Sequence, residues 1–393
     1  LCGWRTSDLD RAPDSQLREN QNRYSNAEHH MQAAIFREAH APLTIEDVSV
    51  DKPQRRELLI RTVATGVCHS DFHFVDGHLA AYTRNPMILG HEGAGVVEAV
   101  GEDVTVAKPG DHVVACLSGF CGTCAQCLSG HPNLCAERYV SRGRESAARL
   151  SMGTQKVAAF ADVGSFAEIM LLHENSVVKI DPDIPLDRAA LVGCGVLTGV
   201  GAALRTAGLQ AGETVAVFGC GGVGLSIVQG ARIGGASRII GVDRVASKLD
   251  TALSLGATDT IDASAVDAVD ALREMTGGTG VDHAFEAVGI PELATQCVES
   301  LAIGGTATIV GVMPTDATIQ VPFNALRPEC KVQTSRMGSN RFRIDIPRYL
   351  DFYRQGRLHL DQMVTRRGRL EDVNEAFRAM KDGEVARTVL MFD

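Results

Sequence analysis

Four cysteines, Cys121, Cys124, Cys127 and Cys135, spaced C-x2-C-x2-C-x7-C, limit the fold of this chain more than any other feature. They lie in a stretch punctuated by Gly122, Gly130 and Pro132, with too few apolar side chains to build a core of its own. Four soft thiolates satisfy a tetrahedral d10 cation and leave no position open to a substrate. The spacing therefore predicts a closed zinc site that builds a lobe near residues 116–140, and it places the chemistry elsewhere. A DNA-reading zinc ribbon is disfavoured by a net charge of -10 and by the lack of any basic block.

At 393 residues the chain is too long for one comfortable core, and two main domains are expected. Hydrophobic residues at 45%, 40 glycines and only 22% charged residues describe a soluble α/β enzyme. No apolar run reaches the roughly 18–20 residues of a membrane span, and no secretory h-region opens the chain. The expectations are a cytoplasmic protein with no membrane or nucleic-acid partner. Cys2, Cys116, Cys220, Cys297 and Cys330 are read as core or incidental thiols. Residues 1–30 show neither helical nor strand period and are expected to be a disordered leader or added upstream sequence, with the folded chain starting at Met31.

From Met31 to about residue 195 the pattern is one of short β-rich runs, Leu43–Val50, Glu57–Ala64, Gly93–Val100, Asp111–Ala115 and Ser165–Leu172, broken by Gly, Pro and Asp. This predicts a compact barrel-like domain over 31–195. Over 196–336 strands near Val215, Arg238, Asp259, Asp282, Thr306 and Val332 alternate with helical patterns, which predicts a doubly wound, six-stranded parallel sheet. Residues 337–393 are expected to return to the first domain.

The strand Val215–Phe218 runs into Gly219-Cys220-Gly221-Gly222-Val223-Gly224 and then into an apolar helix. G-x-G-x-x-G in this context lets the backbone approach a pyrophosphate, while free N–H groups and the helix dipole attract its charge. Asp243 ends the next strand, 19 residues after Gly224. A carboxylate there binds ribose hydroxyls and repels a 2′-phosphate, so NAD is preferred over NADP; Arg244 could soften that choice and Lys248 add a ribose contact.

Cys68, His91 and Cys194 each stand at a turn. A Cys2His set holds zinc and leaves a fourth position open, as a catalytic zinc requires. Spacing alone does not establish the triad. However, His91-Glu92-Gly-x-Gly-x-Val, the tetrad about thirty residues on, Gly193-Cys194-Gly195 and the glycine loop, in this order, resemble the zinc-dependent medium-chain alcohol dehydrogenases over essentially all of Met31 to Asp393.

That resemblance implies a GroES-like catalytic domain beside a Rossmann domain, two zincs per chain, NAD, and hydride transfer from an alcohol acidified by the zinc at Cys68, His91 and Cys194. It implies that Ser70 accepts the alcohol proton and His73 relays it through the cofactor ribose, that Asp71 orients His91, and that Glu92 neighbours the metal. Gly219, Gly221, Gly222, Val223 and Gly224 with Asp243, Lys248, Thr198 and Val312 would bind NAD, and His69 and Arg387 would lie near its pyrophosphate. A bare His69 in place of arginine would hold phosphate weakly and ease cofactor release.

Ser70, Ala161 beside Phe160, Leu117 and Val312 suggest a roomy apolar pocket for medium-chain or aromatic primary alcohols, with secondary alcohols a further class. Glutathione-dependent formaldehyde dehydrogenase is disfavoured, because His73 is present and Tyr139, with Arg138 before it, stands where those relatives carry arginine. A nicotinoprotein that retains NAD is the alternative enzyme, and a non-enzymatic dinucleotide-binding protein the distant one. The resemblance also implies a homodimer, paired through an edge strand at Thr306 to Val312 and its neighbours.

Overall fold

The computed structural model describes residues 29–137, 142 and 146–393. The leader and the pair Arg138 and Tyr139 lie outside them, except that His29 and His30 already belong to a strand, His29–Phe36. Their backbones pair with Val50 and Ser49, so ladder pairing begins two residues before the apolar run at Met31.

Two sheets carry the N-terminal half. One has six strands in the order Gln155–Lys156, Leu150–Met152, Thr44–Val50, His29–Phe36, Met87–Ile88, Ala158–Ala159. The other has seven: Val177–Lys179, His112–Ala115, Glu92–Val100, Glu57–Gly66, Arg387–Met391 and Val364–Gly368, with Ile169–His173 also on Glu57–Gly66. Period-two alternation along Glu57–Gly66 sends Leu58 and Ile60 toward Val97, Val113 and Met170, and Leu59 toward Phe36 and Phe166. The run expected as one strand from Ser165 is shorter, Ile169–His173. Its first residues cross between the sheets: Ala34 N–H donates to the Phe166 carbonyl, and Thr62 N–H to that of Glu168.

The third sheet is parallel, with six strands in the order Asp259–Asp262, Arg238–Asp243, Thr214–Phe218, Val281–Glu286, Leu301–Ile309, Lys331–Thr334. In chain order this is 3-2-1-4-5-6, the doubly wound arrangement whose crevice opens at the carboxyl ends of the strands. The strand at Thr306 is not an edge: it pairs with Val281–Glu286 on one side and Lys331–Thr334 on the other. The edges are Asp259–Asp262 and Lys331–Thr334, and the second is the more exposed.

The chain's end is woven into the first half. Val389, Leu390 and Met391 pair antiparallel with Gly66, Thr65 and Ala64, directly before Cys68. Cys116, Cys220 and Cys297 are buried in the cores. Among the described residues no single helix is long and apolar enough to cross a membrane.

Candidate active site

The helix His69–Val75 starts where Glu57–Gly66 ends, with Cys68 as its N-cap. Ser70 and His73, three residues apart on one helical face, both line a cavity of about 860 Å3 between the first half and the parallel sheet. Asp71 points the other way and is fully buried. Its Oδ1 accepts hydrogen bonds from Gly90 N–H at 2.8 Å and from His91 Nδ1 at 3.1 Å. His91 Nδ1 is thereby committed to a carboxylate, leaving Nε2 to face Cys194 Sγ at 3.2 Å.

One donor atom each from Cys68, His91, Glu92 and Cys194 lies within 4.8 Å of the others, and all four residues are buried. The Cys194 thiol's hydrogen bond and the nearby His91 hold the Cys68 thiol well below the usual range, against burial. Burial disfavours charge on His91, yet Asp71 and Cys68 push it well above the ordinary imidazole value. Two thiols and an imidazole sharing one dry point, the imidazole oriented by a carboxylate, suit zinc. Burial pushes Glu92 up to about 7, against the Arg387 guanidinium in direct contact with it. Glu92 Oε1 also accepts from Gly195 N–H at 3.2 Å.

In the tetrad, Cys121 Sγ and Cys127 Sγ are 3.9 Å apart, as are Cys124 Sγ and Cys135 Sγ. Four sulfurs about 2.3 Å from one zinc stand roughly 3.8 Å from each other, so the group fits the metal. The Thr123 backbone N–H brings the Cys121 thiol down to about 6. Asn133 Nδ2 ties this lobe to the Arg336 carbonyl at 3.0 Å, and Arg336 itself lines the cavity.

On the nucleotide side Gly219 has φ +96°, a left-handed turn that glycine adopts without strain. A Cβ on Gly224 would run into the Gly219 carbonyl oxygen, whereas one on Gly221 would meet nothing within 4 Å: the loop is packed on the sheet side and open on the cavity side. Arg387 flanks Gly222, and its buried Nε has no hydrogen-bond partner. An open backbone cradle beside a guanidinium fits a pyrophosphate. Asp243 is locked at the cavity rim by Cys220 N–H on Oδ2 at 2.7 Å and by the N–H groups of Arg244 and Val245 on Oδ1 at 2.8 and 3.0 Å.

His69, Thr198, Val223, Lys248 and Val312 also line the cavity, as do Leu117 and Phe160. Ala161 does not; it sits in a left-handed turn, φ 53°, behind Phe160. Sequence reasoning missed Leu79 and Met337, both of which line the cavity, and Glu286 behind it. Met337 Sδ is 3.8 Å from Cys194 Sγ and accepts from Thr198 Oγ1 at 3.4 Å. Glu286 Oε1 accepts from the N–H groups of Val288 and Gly289 at 2.8 and 2.6 Å, shaping the loop beside the cradle. The available signals were Gly338 after Met337 and the acid ending the strand Val281–Glu286.

Residues 54–182 match the model of the alcohol dehydrogenase GroES-like domain, and residues 222–355 that of the zinc-binding dehydrogenase. An NDMA-dependent alcohol dehydrogenase of Amycolatopsis methanolica is 40% identical, over 91% of this chain and 98% of its own. The S-(hydroxymethyl)glutathione dehydrogenase of Saccharomyces cerevisiae is 38% identical, over 92% and 96%. Among solved structures, benzyl alcohol dehydrogenase from Acinetobacter calcoaceticus superposes with a TM-score of 0.86 at 33% identity, covering 93% of this chain and all of that one. With its two cysteine-rich metal-ligand clusters and its glycine cradle opening on one cavity, this chain belongs to the zinc-dependent medium-chain alcohol dehydrogenase family.

Proposed function

We propose that this enzyme interconverts medium-chain or aromatic primary alcohols, and some secondary ones, with their carbonyl products, using NAD. The observation carrying this reading is that Cys68, His91 and Cys194 meet at the wall of the same cavity that the Gly219–Gly224 loop and Asp243 enter from the other side. When bound, zinc supplies Lewis acidity toward the alcohol oxygen, and NAD accepts the hydride. The chain's own residues do the rest. Ser70 takes the alcohol proton, and His73, one turn along the same helix, moves it toward solvent. Asp71 holds His91 in the tautomer that presents Nε2, and Arg387 keeps Glu92 paired beside the ligands. The fixed carboxylate of Asp243 favours NAD over NADP. Leu79, Leu117, Phe160 and Met337 give the substrate end an apolar wall. Such a wall separates homologues by only about 1–3 kcal/mol per methylene, so a broad range is expected.

The test is NADH formation by purified protein supplied with NAD and linear, branched and benzylic alcohols, with S-(hydroxymethyl)glutathione in the same panel. Rapid multiple turnover with the first group supports this reading; turnover with the glutathione adduct alone would replace it. A second reading is favoured by the NDMA-dependent relative: NAD stays bound and a second substrate regenerates it. Cofactor surviving gel filtration on the protein, with no free NADH formed, would select it. A homodimer formed along the edge strand Lys331–Thr334 belongs to the same proposal and is tested by the mass in solution.

A further inference from the structure

One cluster of metal-binding side chains belongs to neither zinc set. The helix His69–Val75 ends at Asp76, and Gly77, with φ +85°, turns the chain back so that His78 returns beside His73. His73 Nδ1 and His78 Nδ1 are 3.2 Å apart, His78 Nδ1 and Asp76 Oδ2 3.3 Å, and His73 Nδ1 and Asp76 Oδ2 3.5 Å. Asp76 Oδ1 is already occupied by His78 N–H at 3.1 Å, which turns Oδ2 toward the imidazoles.

A proton shared between the histidines would explain one short contact, but both carboxylate distances exceed an ordinary hydrogen bond. Three nearly equal edges have another explanation. Ligand atoms about 2.0–2.1 Å from a tetrahedral cation stand roughly 3.3–3.4 Å apart, which is the triangle these three atoms make. Two imidazole nitrogens and one carboxylate oxygen suit a borderline divalent cation such as Zn2+ better than Ca2+ or Mg2+, which take oxygen. His73 is largely buried and faces the cavity while His78 is half exposed, so the cluster sits at the cavity rim, open to ions from solvent.

We propose that His73, Asp76 and His78 form a third divalent-cation site at the cavity rim, that it takes Zn2+, and that its occupancy inhibits turnover. Inhibition rests on the reading of His73 as the proton carrier: a cation on Nδ1 occupies the lone pair that would carry the proton. Uptake of the cation does not rest on that reading.

The experiment loads the two-zinc enzyme with buffered free Zn2+ and measures bound zinc per chain together with alcohol-dependent NADH formation. The expected result is saturable uptake of a third equivalent with parallel, chelator-reversible loss of activity. His78→Asn and Asp76→Asn lose both the third equivalent and the inhibition while keeping wild-type turnover in metal-buffered assay; the second variant serves if the first does not fold. No third equivalent in the wild type, or one retained by both variants, overturns the site. A third equivalent that is lost in the variants yet never inhibits overturns the regulatory half alone. An enzyme inactive on every alcohol but showing site-dependent uptake would count against the functional reading and leave the cation site standing.

Discussion

Asp71 shows how much one residue can govern. It does not itself line the cavity, yet its buried carboxylate decides which nitrogen of His91 faces the Cys194 thiol. Burial raises its own carboxyl value, opposed by the charge on His91, so the pair is mutually dependent. Asp71→Asn keeps an acceptor for Gly90 N–H but removes the charge behind His91. It is expected to lower metal affinity or kcat/KM about 10–100-fold, read by zinc content after mild chelation and by turnover. Asp243 acts by a different route, through three backbone N–H groups that fix its carboxylate at the rim.

Two elements depend on details that composition hides. The helix Gly222–Gly234 starts close against the strand Thr214–Phe218 because Gly224 brings no Cβ to the Gly219 carbonyl, and a side chain there would push the loop out of place. Gly224→Ala is expected to fold, with unchanged zinc content, but to bind NADH more weakly, as fluorescence titration would reveal. The tetrad lobe has a different weakness. Its helix Ala125–Leu128 is a single turn with no buried residue, too short to persist without the metal. Cys124→Ser is expected to remove one zinc per chain and lower Tm, while the Cys68, His91 and Cys194 donors stay in place; metal analysis alongside calorimetry tests both parts.

At the scale of the molecule, the C-terminal segment is held by ion pairs as well as by strand pairing. Asp187, on the helix Leu186–Val192, accepts from Arg188 and from Arg367 of the strand Val364–Gly368, each at 2.7 Å. Burial would raise its carboxyl value, but hydrogen bonds from the two guanidiniums outweigh that and hold it below the ordinary Asp range. A depressed folded value means that the stabilisation is complete above the unfolded value of about 3.9 and is lost as pH falls through the folded one. Asp187→Asn is therefore expected to lower Tm near neutral pH and to show a smaller further loss on acidification than the wild type, measured by thermal melts across that acid range.

Several features were legible from the residues alone, for physical reasons that act locally. The tetrad's spacing dictates a closed thiolate site, and the Gly219–Gly224 loop between an apolar strand and an apolar helix dictates a phosphate cradle. Alternating strand and helix patterns dictated the parallel sheet. Its edge was misjudged, because period says where strands are but pairing order says which of them is outermost. Tertiary structure alone brought Arg387 to Glu92 across 295 residues of sequence and set Met337 against Cys194. These contacts depend on how separate elements pack, and no local pattern of polarity or turn chemistry encodes a distance between residues so far apart in the chain.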